Sequence, residues 1–237
     1  MANSGARRLT LAAAASVVVI LVVALAVRDD ADDASLPVRA DATYADGSSD
    51  STFKDAGQLV ATAAITLEGR VLRVEEGAAL ESTDGSGGRV IPRIIVVETR
   101  RVFHTRAGSE GVGEVVKVVD GYWEDGKGYE RESVGWAARG ETVFLLLSRD
   151  RGPDGERLDT FTPLSASGIA IVRSGLVEYA EDGVWADVGD ASRDEFAAEV
   201  ERAAEAARSG AATPVPITLC FPSVPGDENS EPICETE

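Results

Sequence analysis

The chain has 237 residues, with 23 Lys and Arg against 41 Asp and Glu, 44% hydrophobic residues, 5% aromatic ones, two cysteines and one histidine. Apolar content near half with charge near a quarter is globular composition, which excludes wholesale disorder, a collagen-like chain and a polytopic membrane protein. So few His and Cys exclude most zinc, haem and iron-sulfur chemistry.

Residues 1–28 hold Arg7, Arg8 and Arg28 and no acid, so the remainder carries 20 basic and 41 acidic side chains, a net of −21. A body of that sign repels phosphate backbones, and nucleic acid is not expected as a partner. From Leu9 to Val27 the chain reads LTLAAAASVVVILVVALAV, 19 residues without a charge. As a helix this run spans about 28 Å, enough to cross a bilayer once. Arg7 and Arg8 followed by Ala24-Leu25-Ala26 also fit a cleaved signal peptide, and the absence of a cysteine after the run excludes a lipoprotein. Anchor and signal stay open as alternatives. Flanking charges do not set the orientation, because Arg7 and Arg8 are balanced by Arg28 and Arg39. Cys220 and Cys234 have the look of a disulfide, which belongs in an oxidising compartment. Residues 29–237 are therefore expected outside the cytoplasm, at the membrane or secreted.

Residues 29–54 are rich in Asp, Ser and Ala without apolar periodicity and read as a disordered acidic linker. A folded domain is expected over 55–210. Its strand candidates are Ile65 to Val74, Val90 to Thr105, Glu114 to Asp120, Glu141 to Leu147, Asp159 to Pro163, Ile169 to Arg173 and Leu176 to Tyr179. Gly152-Pro153-Asp154-Gly155 and Glu181-Asp182-Gly183 supply turn residues between neighbours, which predicts a mostly antiparallel sheet. A helix is predicted over 192–208: Ser192 and Glu195 form a capping box, Phe196, Val200, Ala203, Ala204 and Ala207 fall on one face, and Gly210 follows. Five of the nine prolines lie in 211–237, a tail that the two cysteines would close.

No strand-helix-strand alternation appears, so the fold class is mainly β, a small antiparallel OB-like barrel with one packed C-terminal helix, preceded by a single N-terminal transmembrane helix. The order LVATAAITLEGRVLRVE, IIVVETRRVF, GEVVKVVDG, ARGETVFLLLSR and TPLSASGIAIV, from about Asp55 to Arg173, resembles a functionally uncharacterised domain of exported actinobacterial proteins. That domain is itself similar in strand order to the netrin-type OB barrel. The resemblance implies the barrel and an exported location. Netrin-type protease inhibitors present an amino-terminal cysteine to a metal, and here no cysteine precedes Cys220.

Chemistry-bearing residues are sparse. His104 is the one histidine, at a strand end between Phe103 and Thr105, and no G-x-S-x-G elbow exists, so no catalytic residue is assigned. Asp150 to Gly155 resembles a calcium loop but has Gly152 at its third position and Phe161 at its twelfth, so it reads as a turn, and no metal site or cofactor is expected. Tyr122, Trp123, Tyr129 and Trp136 place four of 13 aromatic residues in a glycine-rich stretch of 15. They either close one end of the barrel or, through Tyr122, Trp123 and Tyr129, dock a ligand such as an extracytoplasmic protein or a cell-wall glycan. The leading expectation is a membrane-anchored extracytoplasmic module that binds or scaffolds. A secreted carboxylate-dependent hydrolase and a netrin-like protease inhibitor are the alternatives.

Overall fold

A computed structural model describes residues 53–81, 89–109, 111–124, 127–130, 134–151, 157–180, 183–216, 218–221 and 233–236. The apolar run at 9–27, most of the acidic linker and the Gly152–Gly155 turn lie outside the described residues. No described helix is long and apolar enough to cross a membrane.

The β-branched runs become strands because their side chains pack on a pleated surface with a core on at least one side. In chain order the elements are α1 (Ala56–Thr62), β1 (Ile65–Glu76), β2 (Leu80–Glu81), β3 (Arg89–Thr105), β4 (Val115–Glu124), β5 (Lys127–Glu130), β6 (Thr142–Arg151), β7 (Arg157–Pro163), β8 (Ile169–Arg173), β9 (Leu176–Glu178), α2 (Arg193–Arg208), β10 (Thr218–Phe221) and β11 (Ile233–Thr236). The protein is mainly β. Strands β1, β3, β4, β7 and β6 pair in that order, and β6 pairs back onto β1, which closes a five-strand ring. All these pairings are antiparallel except β4 with β7, which is parallel. Strands β8 and β9 extend the sheet from β6, while β2 and β5 are short additions to β3 and β4.

Strand β1 serves two neighbours, pairing along its length with β3 and over Ile65 to Arg70 with β6. It bends at Gly69, where the register with β3 shifts and where a Cβ would run into Val97 and lie 2.7 Å from the Glu98 carbonyl oxygen. A side chain there would push β3 away, so the bend needs glycine.

Strand β6 shows why its sequence is apolar without alternation. Val143, Leu145 and Leu147 face the ring interior with Ile65, Leu67, Ile95, Val97, Val116, Val118 and Phe161. Phe144 and Leu146 face the opposite way, into a second core with Leu59, Val60, Phe103, Trp185, Phe196 and Val200. Both faces of the strand are buried, the condition under which a strand reads as a continuous hydrophobic run.

The second core exists because α2 lies on the outside of the ring. Its capping box forms as the sequence predicts: the Ser192 hydroxyl accepts from the Glu195 amide and the Glu195 carboxylate accepts from the Ser192 amide at 2.9 Å. Phe196, Val200, Ala203 and Ala204 are buried, with Phe196 against Phe144 at 5.0 Å between ring centres and against Trp185 at 5.0 Å. Charged contacts fix the helix in place. Arg193 donates to the buried Glu68 of β1 at 2.8 Å, Arg101 pairs with Glu201 at 2.6 Å, and Arg208 donates to the Phe103 carbonyl at 2.6 Å.

Three features depart from the sequence reading. Phe53, read from sequence as part of the linker, is buried in the second core ahead of α1. Helix α1 was hidden by its length of seven residues, though Asp55 caps it by accepting from the Gln58 amide at 2.9 Å. The proline-rich tail contains a two-stranded ribbon, β10 with β11, separate from the main sheet.

Candidate functional site

Two ends of the barrel carry the polar and aromatic side chains of interest. At one end, β4 hairpins into β5 with Tyr122 opposite Tyr129. Arg93 of β3 and Asp120 of β4 form an ion pair with side chains only 4% and 1% exposed. Arg93 also donates to the Ala137 carbonyl at 2.6 Å, and its guanidinium lies 4.8 Å from the centre of the Trp136 ring. Trp136 in turn meets Trp123 edge-on at 5.5 Å, and a Cβ on Gly128 would fall inside its ring. Arg173 holds the same loop down by donating to the Trp136 carbonyl at 2.6 Å and to Glu141 at 2.8 Å.

This assembly fills the barrel end. Trp123 is 4% exposed and belongs to that packing, so it offers no ring to a ligand. Tyr122 is half-buried on the other face of β4, and Tyr129 contributes its backbone to the hairpin while its side chain lies outside the description. The three residues singled out from sequence are therefore adjacent along one hairpin, but they do not form one exposed aromatic surface. Arg93, Asp120 and Gly128, which complete the packing, were not singled out. A signal for the first was present: Arg93 is a lone charge inside the β-branched run VIPRIIVV.

The opposite end is open. A cleft of about 300 Å³ is lined by Ala64 and Ile65 at the start of β1, by Arg106 to Ser109 after β3, and by Arg149, Arg151, Arg157 and Phe161 of the β6–β7 hairpin. Four arginines thus line it, and no carboxylate is among its described lining side chains; Arg106, Arg151 and Arg157 each make a further interaction. Arg149 is fixed by a 3.2 Å hydrogen bond to the Leu158 carbonyl and by stacking 4.4 Å from the Phe161 ring centre. Arg151 and Arg157 are direct cross-strand partners. Sequence reading missed the cleft because its arginines come from three separate segments. The signal that could have shown it is the run Arg149-Asp150-Arg151 facing Arg157 across a turn.

His104 is half-buried near the end of β3, and burial followed by the charge of Arg208 lowers its pKa. It does not line the cleft. In the tail, the backbone of Cys220 lies directly opposite that of Cys234; their side chains lie outside the description. Among the described residues, no group of three or more His, Cys, Asp or Glu is placed to hold a metal ion.

In comparisons with known proteins, the chain matches no family model, no curated protein and no solved structure. The reading of function therefore rests on the residues themselves.

Proposed function

We propose that this chain is an extracytoplasmic binding or scaffolding module, held at the membrane by residues 9–27, whose partner engages the open end of the barrel. The observation that carries the reading is the cleft at the open end, a concave site lined by Arg106, Arg149, Arg151 and Arg157. Clefts are where ligands gain most contact per unit of surface, and a guanidinium presents several donors in fixed geometry. A carboxylate-dependent hydrolase would need two acids facing the same cleft, and none is among its described lining side chains.

The closed ring with one parallel contact, β4 to β7, and with helices packed on its outside supports the finer reading of an OB-like, netrin-type barrel. The direct opposition of Cys220 and Cys234 supports a disulfide across β10 and β11, which fits an oxidising compartment. Protease added to intact, wall-stripped cells tests the address. Degradation of residues 29–237 is expected, and full protection in unbroken cells would reverse the topology. Surface crosslinking on intact cells tests the binding function. A defined partner is expected, and a chain that crosslinks to nothing would end the reading.

A further inference from the structure

We propose that the ring opens along the β4–β7 seam, a parting built into the fold that bares the ring interior beside the cleft. The opening belongs to the ring itself and holds whether or not a partner meets the cleft.

The seam is the shortest ladder in the ring. Among the described residues β4 and β7 pair at two positions, Lys117 with Thr160 and Val118 with Phe161. The other ladders run further: β1 with β3 from Ile65 to Glu76, β3 with β4 from Val90 to Glu98, β1 with β6 from Ile65 to Arg70, and β6 with β7 from Leu147 to Arg151. The seam is also the one parallel pairing among them, and parallel pairing is slightly less stable per residue. Few backbone hydrogen bonds and little buried surface are what give a local opening a low free energy.

The side chains along the seam add little. Val115 of β4 and Leu158 of β7 each stand two residues ahead of a seam partner, and both are exposed, so neither covers the junction with apolar packing. Lys117 pairs with Asp159 at 3.0 Å, but the two side chains are 41% and 80% exposed, and a solvated ion pair contributes little.

Each strand of the seam is tied instead to its own half of the ring. Strand β4 is held by β3 and by the β5 hairpin. Strand β7 is held by β6: Arg149 donates to the Leu158 carbonyl at 3.2 Å and stacks 4.4 Å from the Phe161 ring centre, and the Leu164 amide donates to the Leu146 carbonyl at 2.9 Å. Phe161 therefore moves with β6 and not with β4. Strand β1 lies across the ring from the seam, between β3 and β6, and its bend at Gly69 is where the ring flexes. Parting uncovers Val116, Val118 and Phe161. Phe161 also lines the cleft, so the opening joins the cleft to the ring interior.

The test is thiol labelling of the full chain in neutral detergent micelles with a small maleimide, read by peptide mass mapping so that Cys220 and Cys234 are followed separately. Val118→Cys at the seam and Val71→Cys on β1 replace interior valines that are 0% and 1% exposed. Without denaturant, position 118 should label at least about tenfold faster than position 71. Equal rates, or faster labelling at 71, overturn the proposal. Where Val118→Cys melts earlier than Val71→Cys, the reading passes to Lys117→Cys/Thr160→Cys. These cross-strand neighbours are not core residues, and adjacent strands lie close enough for a disulfide to clamp them. Hydrogen exchange of the oxidised clamp, set against the unaltered chain, should slow over 117–119 and 160–162 at least about tenfold more than over 67–70. A clamp that slows both regions alike, or neither, overturns the proposal.

Discussion

Asp120 sits at a register shift: Arg93 pairs with Gly121 and Ile94 with Val119, so Asp120 is the extra residue of a bulge. Asp120 keeps the inward side of Val116 and Val118, toward Arg93, and the bulge reverses the alternation beyond it, because inserting one residue exchanges the faces of everything that follows. Strict alternation from Val116 and Val118 would face Tyr122 inward and Trp123 outward. The observed burial is the reverse. That one residue explains why the aromatic hairpin was visible in sequence while the roles of its two rings were not. Removing one partner of the ion pair, as in Arg93→Ala, is expected to destabilise by about 3–5 kcal/mol in denaturant melts, since the other charge is left buried. Trp123→Ala is expected to lose a similar amount, about 3–5 kcal/mol, through the cavity it leaves. An unchanged melt in the Trp123 variant, with partner capture abolished, would return the residue to a recognition role.

At the scale of elements, α2 was legible almost residue for residue, because a capping box, a 3.6-residue apolar stripe and a terminal glycine are all local signals. The strand runs of β1, β3, β6, β7 and β8 were legible for the same reason. Helix α1 and the short strands β2, β5, β10 and β11 were not, since two helical turns, or a strand of four residues or fewer, carry too little pattern. Ser192→Ala should lower stability by about 1 kcal/mol through loss of the cap. The helix also confers a pH dependence. Hydrogen bonding from Arg208 lowers the Glu201 pKa, and burial followed by Arg208 lowers that of His104. Both groups bind protons more readily when unfolded, so the stability they contribute is present above their unfolded values and declines as pH falls toward the folded ones. Thermal melts should therefore decline first below the ordinary histidine range and again below the ordinary carboxylate range. A melting temperature that rises on acidification over these ranges would contradict the assignment. For the β10–β11 ribbon, mass mapping of the nonreduced protein should find Cys220 bonded to Cys234. Reduction should cost at most about 3 kcal/mol, because the ribbon is separate from the main sheet. Two free thiols would defeat the pairing.

For the molecule as a whole, the fold boundaries follow from two contacts at the edges. Phe53 is buried beneath the helices, and the Val215 amide donates to the Thr62 hydroxyl of α1 at 3.0 Å. A fragment of residues 53–216 should melt cooperatively with a β-dominated circular dichroism spectrum, and trimming it to 55–210 should lower the melting temperature. Composition and strand rhythm were enough to read a mainly β domain. The cleft was not legible because its arginines converge only when β3, β6 and β7 are closed into a ring. We propose that partners meet this chain at the arginine-lined end and not at the aromatic end. A photo-crosslinking amino acid placed at Ser109, beside the cleft, or at Tyr122, at the opposite end, in the full chain on intact cells tests it directly. Adducts are expected from position 109, lost when Arg149 and Arg157 are replaced by alanine. Adducts from position 122 alone, or adducts from 109 that persist without the two arginines, would contradict it.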